Sequence, residues 1–135
     1  MKYFITLSTL FLCVVSCNSV ADTNPKPEQI AYTFLTAYYS LDFGQIVPMC
    51  VSESILKSDM ELNAQVIGGY PQATIDEKRA DLAAYSFQID HVDLNRAKDS
   101  AFISYTIFTP EVPNGIESRL TLIKEEHEWK VAKLF

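Results

Sequence analysis

The sequence predicts a single α+β domain, with N-terminal helices packed on a curved four-stranded antiparallel sheet. In the first half of the chain, apolar residues recur at helical spacing and are interrupted by breaks such as Gly68-Gly69-Tyr70-Pro71. From Ser86 onward the apolar period changes to two, and four such runs follow with short polar links. Consecutive strands with short links favour an antiparallel meander, and the helices before it must cover one of its faces.

The helical half is predicted to contain four elements. The first is a long amphipathic helix in "PEQIAYTFLTAYYSLDF", where Ile30, Phe34 and Tyr38 share one face, and Gly44 ends or bends it. "GQIVPMCV" is a short helical turn, and a third element in "SESILKSDMELNAQVI" has Ser52 as its predicted N-cap. "QATIDEKRADLAAY" is a fourth, with exposed charges.

The predicted strands are "SFQIDHVDLN", "AFISYTIFTP", "IESRLTLIKE" and "EWKVAKLF". Side chains of a regular strand point alternately to opposite faces. Asp90 is therefore expected on the face opposite His91 and Asp93, and His91 is expected on the same face as Phe87 and Ile89. That face is the concave one, so His91 is a candidate for lining it.

Residues 1–16 are predicted to be a secretion signal. Lys2 is followed by an apolar run of about 13 residues. A membrane-spanning helix needs about 20 predominantly apolar residues, so the run suits a cleaved signal better than an uncleaved anchor.

The motif "VVSC", ending at Cys17, resembles the lipobox of bacterial lipoproteins. A lipobox implies cleavage before Cys17 and a lipid on its Sγ. Residues 17–27 would then form the lipidated N-terminus and a flexible tether, and residues 28–135 the domain. The protein is accordingly expected in the cell envelope, anchored at the outer membrane or the periplasmic face. An ordinary signal peptide with a chance cysteine is the alternative.

The net charge and Cys50 exclude further classes of partner and site. The chain has 17 acidic and 11 basic residues and a net charge of −6, which disfavours nucleic acid and anionic lipid as partners. Membrane association is therefore expected to come from the lipid on Cys17. Cys50, in the apolar segment "IVPMCVS", is predicted to be a small buried hydrophobe and not a reactive thiol.

The order of the elements resembles the cone-shaped fold of nuclear transport factor 2 and ketosteroid isomerase. More narrowly, the chain resembles small Bacteroidetes-type lipoproteins with a nuclear transport factor 2-like, lumazine-binding-like domain of unknown function. The matching stretches are the lipobox, the opening "PEQIAYTFLTAYYSLDFGQIVPMC" and the closing "EWKVAKLF". Because the fold hosts many unrelated functions, the resemblance implies a fold and a location and little else.

Enzymes of that fold place acid and base groups inside the cone, which makes Tyr38, His91, Tyr105 and Trp129 candidate ligand-pocket residues. Each has a structural alternative: tyrosines often lie at the rim of a small core, histidines at exposed strand positions, and tryptophan in the core. No catalytic residue is assigned. The two histidines are 36 positions apart with no ligand-spaced partner, so no metal or cofactor is predicted.

We therefore expect a membrane-anchored lipoprotein whose domain binds a small molecule or an envelope protein. A binding role is favoured over an enzymatic one. An isomerase- or dehydratase-type enzyme is the alternative, and a purely structural envelope component is another. A second copy of the chain, forming a homodimer, is a further expected partner. A buried acid facing a tyrosine in an open cavity would favour the enzyme, whereas a filled interior would favour interaction.

Overall fold

The computed structural model describes residues 23–135. Its elements are α1 (Pro27–Tyr39), α2 (Phe43–Ile46), a 3₁₀ turn (Val47–Met49), α3 (Ile55–Gly68), α4 (Gln72–Leu82), β1 (Ser86–Leu94), β2 (Ser100–Phe108), β3 (Ile116–Glu125) and β4 (Glu128–Leu134). The predicted α+β class, with helices followed by a four-stranded antiparallel sheet, is confirmed. The predicted signal peptide and Cys17 lie outside the described residues and stay predictions.

The local sequence explains where α1 begins and ends. Pro27 occupies the first helical position, where its missing N–H costs nothing, and the Lys26 N–H donates to the Gln29 side chain at 2.8 Å. At the other end, Leu41 adopts a positive φ of 56° and reverses the chain direction. Asp42 then caps α2 by accepting the Gln45 N–H at 3.3 Å.

The N-cap of α3 is Ser54, so the prediction of Ser52 is wrong by two residues. The Ser54 hydroxyl accepts the Lys57 N–H at 3.1 Å. The Ser52 N–H instead donates to the Glu125 carboxylate at 3.0 Å, which ties this loop to the sheet. The predicted break at the paired glycines is confirmed, because α3 ends at Gly68.

The four strands lie in the order β1-β2-β3-β4, all antiparallel. Two irregularities interrupt the pairing. Ile89 pairs with Tyr105 and His91 with Ser104, which leaves Asp90 as an extra residue in β1. A second register shift lies opposite Thr121 and Leu122. Bulges of this kind bend a strand and change which face the following side chains occupy.

One hydrophobic core fills the space between the helices and one face of the sheet, here called the inner face. α1 contacts all four strands across that face. The fully buried side chains are Phe34 and Leu35 of α1, Ile46, and Ile103, Tyr105, Leu120, Leu122 and Val131 of the sheet. Fully burying one such large apolar side chain stabilises the fold by about 1.5–3 kcal/mol, so this contact holds helices and sheet together.

The link between β2 and β3 depends on one glycine. Gly115 has a φ of +85°, and a Cβ at this position would collide with the side chains of Thr106 and Phe108. A residue with a side chain would therefore be strained here.

None of the helices within residues 23–135 combines the length and the apolar character needed to cross a bilayer.

Candidate functional site

His91 lies on the outer face of the sheet, so the alternation that made it a candidate for the concave face fails, and the alternative of an exposed strand histidine is the one observed. The bulge at Asp90 is the physical reason, because one extra residue inverts the alternation for the rest of β1. His91 consequently pairs with Ser104, whose neighbours Ile103 and Tyr105 are both buried in the core.

The bulge also brings Asp90 to the outer face, contrary to the prediction that it opposes His91. The Asp90 carboxylate accepts the Thr106 hydroxyl at 2.6 Å and the Gln88 amide at 3.1 Å. His91 Nε2 lies 3.0 Å from Asp93 Oδ1, with both side chains about two-thirds exposed, at 66% and 69%. A pair so open to water is worth little energetically and is no buried acid–base dyad.

Tyr105 is a core residue, only 2% exposed. Burial raises the pKa of its hydroxyl, and a hydrogen bond with Ser118 offsets part of that increase. Tyr38 is half-buried, and its ring contacts those of Phe34, Tyr39 and Phe43 at centroid distances of 6.2, 5.4 and 6.1 Å. The two predicted pocket tyrosines therefore pack the interior and do not surround a cavity.

No carboxylate accompanies these tyrosines inside the domain. Among the described residues, no charged or polar side chain is classed as buried, and no three metal-binding side chains are grouped. The feature that would favour an isomerase-type enzyme, a buried acid facing a tyrosine, is absent from this part of the chain.

Trp129 lies near the start of β4, where it packs against the hydrophobic core and pairs with Lys124 of β3. It is half-buried, and Lys124 Nζ lies 5.1 Å from its ring centroid. It also lines a small cavity of about 260 Å³ with Asn24, Pro25 and Met49. The four predicted pocket residues are thus divided among the core, the outer face and the start of β4.

Cys50 is buried, as predicted, with 3% exposure. Its Sγ lies 3.5 Å from the Ile46 carbonyl oxygen, and burial raises the pKa of the thiol to about 11. Such a thiol stays protonated at neutral pH and is a poor nucleophile.

The concave features of the domain are at its surface. The larger one, here called the edge groove, has a volume of about 670 Å³ and runs between α1 and β1. It is lined by Glu28, Gln29, Tyr32, Thr33, Ile89, Asp90, His91 and Val92. A second groove of about 650 Å³ lies on the outer face, where Phe102 is 53% exposed beside Arg119.

The edge groove combines an aromatic surface with negative charge. Tyr32 is 57% exposed, and its ring lies 5.1 Å from that of Phe87, which fixes it over the strand. Glu28 and Asp90 line its two walls, although the Asp90 carboxylate accepts its hydrogen bonds on the outer face. An exposed, supported aromatic ring beside acidic residues can contact an apolar stem and a cationic head at once.

β1 is also the open edge of the sheet. At the opposite edge, Cys50 forms a parallel bridge with Val131, and the Val51 N–H donates to the Val131 carbonyl oxygen at 2.9 Å. Within residues 23–135, β1 has a neighbouring strand on one side only. The groove therefore adjoins an unpaired strand edge.

Sequence reasoning missed Tyr32 and Asp90. The signal for Tyr32 was its place off the apolar stripe of the first helix, which puts a large aromatic ring toward solvent. Asp90 carried no such signal, because period-two alternation predicts a regular strand.

Comparison with known proteins found no matching family and no matching curated protein. Among solved structures, the chain is similar to a SEC-C motif-containing protein from Rhodopseudomonas palustris, with 15% identity and a TM-score of 0.49. The match covers 81% of this chain and 77% of that one. The resemblance to nuclear transport factor 2-like lipoproteins is corrected on this point, because none of the comparisons returns such a protein. What stands is the α+β class with its helices and antiparallel sheet.

Proposed function

We propose that this chain is a binding module for an extended segment of another protein, with the edge groove as its site. The open edge of β1 beside Tyr32 is the observation that carries the proposal. A strand edge offers a row of backbone donors and acceptors, and peptides add to such edges as a further strand.

The filled interior supports a protein partner over an enclosed small molecule. Phe34, Leu35 and Ile46 have no exposed surface, and Tyr105 fills the neighbouring space on the sheet. Close-packed interiors leave few voids larger than a water molecule. A ligand would therefore have to use the surface grooves.

The acidic residues of the edge groove favour extended segments that carry positive charge. Glu28 and Asp90 line it, and His91 is its one basic side chain. Complementary charge raises association rates and disfavours like-charged partners. A segment with lysine or arginine at alternate positions would place its cations against these carboxylates.

The test uses synthetic peptides of the length of β1, alternating valine with lysine, and matched peptides with glutamate in place of lysine. Titration of the full chain by NMR is expected to shift the backbone amides of 89–92 with the lysine peptide and not with the glutamate peptide. Tyr32→Ala should weaken binding about tenfold, as loss of an aromatic anchor does.

Tyr70→Ala is the matched control, because Tyr70 is similarly exposed, at 51%, but lies after α3. Equal loss in the two tyrosine variants, or shifts confined to the outer face, would rule out the edge groove.

The proposal places this module at the cell envelope through a lipid on Cys17. Its support is the "VVSC" motif after a short apolar run, followed by a small, polar, proline-containing segment. Cys17→Ala is expected to release the protein from membranes washed at high salt, where headgroup contacts are screened, and to remove the acyl mass from the mature chain. A variant that still sediments with membranes at an unchanged mature mass would exclude the anchor.

A further inference from the structure

The domain carries a concentrated positive site although its net charge is −6. Four basic side chains from separate segments surround a pocket of about 190 Å³, here called the cationic pocket. They are Lys26 before α1, Lys98 in the β1–β2 turn, Lys124 at the end of β3, and His127 in the β3–β4 turn. No acidic side chain lines the pocket.

Two carboxylates close to these lysines in sequence are engaged elsewhere. Asp99 accepts the Asn95 side-chain amide and the Ser100 hydroxyl. Glu125 accepts the Ser52 N–H at 3.0 Å. Glu126, in the same turn as His127, is exposed and does not line the pocket.

Glu128 lies 3.4 Å from Lys130 and forms one of the ion pairs of the described residues. No ion pair within residues 23–135 includes Lys26, Lys98 or Lys124. Like charges brought together repel, and an anion that they surround is correspondingly favoured.

The floor of the pocket is apolar. Trp129 lies under Lys124, with 5.1 Å from Nζ to the ring centroid, and Leu94 is 47% exposed beside it. Tryptophan with lysine is the combination typical of protein surfaces at the membrane–water interface. The volume accommodates a phosphate group with part of what it is attached to.

The position of the pocket, close to the start of the domain, favours a phosphate that belongs to a membrane lipid. Asn24 and Pro25 line it, so the chain from Cys17 enters the domain here. Asn24 is seven positions after Cys17, a distance that an extended chain spans with at most about 25 Å. We infer that the cationic pocket binds the phosphate of anionic phospholipid headgroups and orients the domain on the membrane.

This inference rests on the proposed lipid anchor, because the anchor is what brings the domain to a membrane surface. Headgroup binding and lipid anchoring can be tested separately. The full chain is prepared with Cys17→Ala, so that no thioether lipid contributes. Its sedimentation is measured with vesicles of phosphatidylcholine alone and of phosphatidylcholine with one-third phosphatidylglycerol. Binding is expected only to the second kind and should fall as salt is raised.

Lys98→Glu with Lys124→Glu should weaken that binding at least about tenfold, because two attractive charges become repulsive. Lys57→Glu with Lys78→Glu is the control, since it changes the net charge equally at sites in α3 and α4. The control pair should bind within about twofold of the parent. Circular dichroism of both pairs checks that they fold.

Absence of a phosphatidylglycerol dependence, or equal loss in the two charge-reversed pairs, would overturn the inference. A titration with inorganic phosphate is the last measurement. If it shifts the NMR signals of Lys98, Lys124 and Trp129 while the anionic vesicles do not bind, the pocket takes free phosphate and the membrane assignment is wrong. None of these outcomes depends on whether Cys17 is lipidated in cells.

Discussion

The two edges of the sheet are finished in different ways. At β4, the chain around Cys50 and Val51 forms a bridge to Val131 and supplies a backbone hydrogen bond of 2.9 Å. At β1, no other segment of residues 23–135 pairs with the corresponding side, and the strand has a bulge at Asp90. A covered edge satisfies the backbone groups of its last strand, whereas an uncovered edge leaves a row of N–H and C=O groups without strand partners.

The largest loss of stability is expected from truncating a core side chain beside the closed edge. Leu122 pairs with Val131 and has no exposed surface. Leu122→Ala should lower the free energy of unfolding by about 3 kcal/mol, through lost burial and the cavity left behind. The measurement is urea unfolding followed by circular dichroism.

Leu94→Ala in β1 is the matched change at the open edge. Leu94 is 47% exposed, so the same truncation should cost less than about 1 kcal/mol. Similar losses at the two positions would show that the edges do not differ in stability.

The next effect concerns the thiol in the segment that closes β4. The pKa of Cys50 is raised from 9.0 to about 11 by burial. The unfolded thiol therefore ionises first, and the free energy of unfolding is unaffected by it below pH 9 but falls between pH 9 and 11. The loss is expected to reach about 2 kcal/mol.

Cys50→Ala provides the comparison, measured by urea unfolding with reductant present. Tyr39 and Tyr105 also have pKa values raised by burial, and they add losses of the same sign in both proteins. The difference between the two pH profiles isolates Cys50. Parallel profiles from pH 8 upward would mean that the thiol is not buried in the native protein.

A smaller effect is expected from the carboxylate that holds the closing loop. Glu125 accepts the Ser52 N–H, and this hydrogen bond lowers the pKa of the carboxyl. Its contribution is present above the ordinary value of 4.5 and is lost as the pH falls through the lower native value. Thermal unfolding of Glu125→Gln should differ from the parent at pH 6 and converge with it in acid.

Glu126→Gln is the control for that measurement, because Glu126 is exposed in the adjacent turn. If its pH profile departs from the parent as much as that of Glu125→Gln, general surface charge and not the Ser52 contact is responsible.

The sequence predicted the helices and strands because periodicity reports which residues are buried together. Phe34, Leu35 and the alternating residues of β2 lie in the core as their spacing indicates. Burial of Cys50 followed from its apolar neighbours alone. These features are local, so they can be read without knowing the tertiary structure.

The candidate site could not be predicted in the same way. The edge groove depends on which strand remains unpaired, and the cationic pocket depends on turns that are distant in sequence. The bulge is the clearest case, since a single extra residue at Asp90 moved His91 to the other face. Net charge likewise concealed the local cluster around Lys98 and Lys124.

The bulge itself yields the smallest predicted effect, which tests the open edge directly. His91 is exposed and pairs only with the equally exposed Asp93, so His91→Ala should change the free energy of unfolding by less than about 0.5 kcal/mol. Val92, which is half-buried opposite Ile103, should lose about 1 kcal/mol on change to alanine. Uninterrupted alternation through β1 would place His91 inside and Val92 outside, and urea unfolding would then give the reverse ranking.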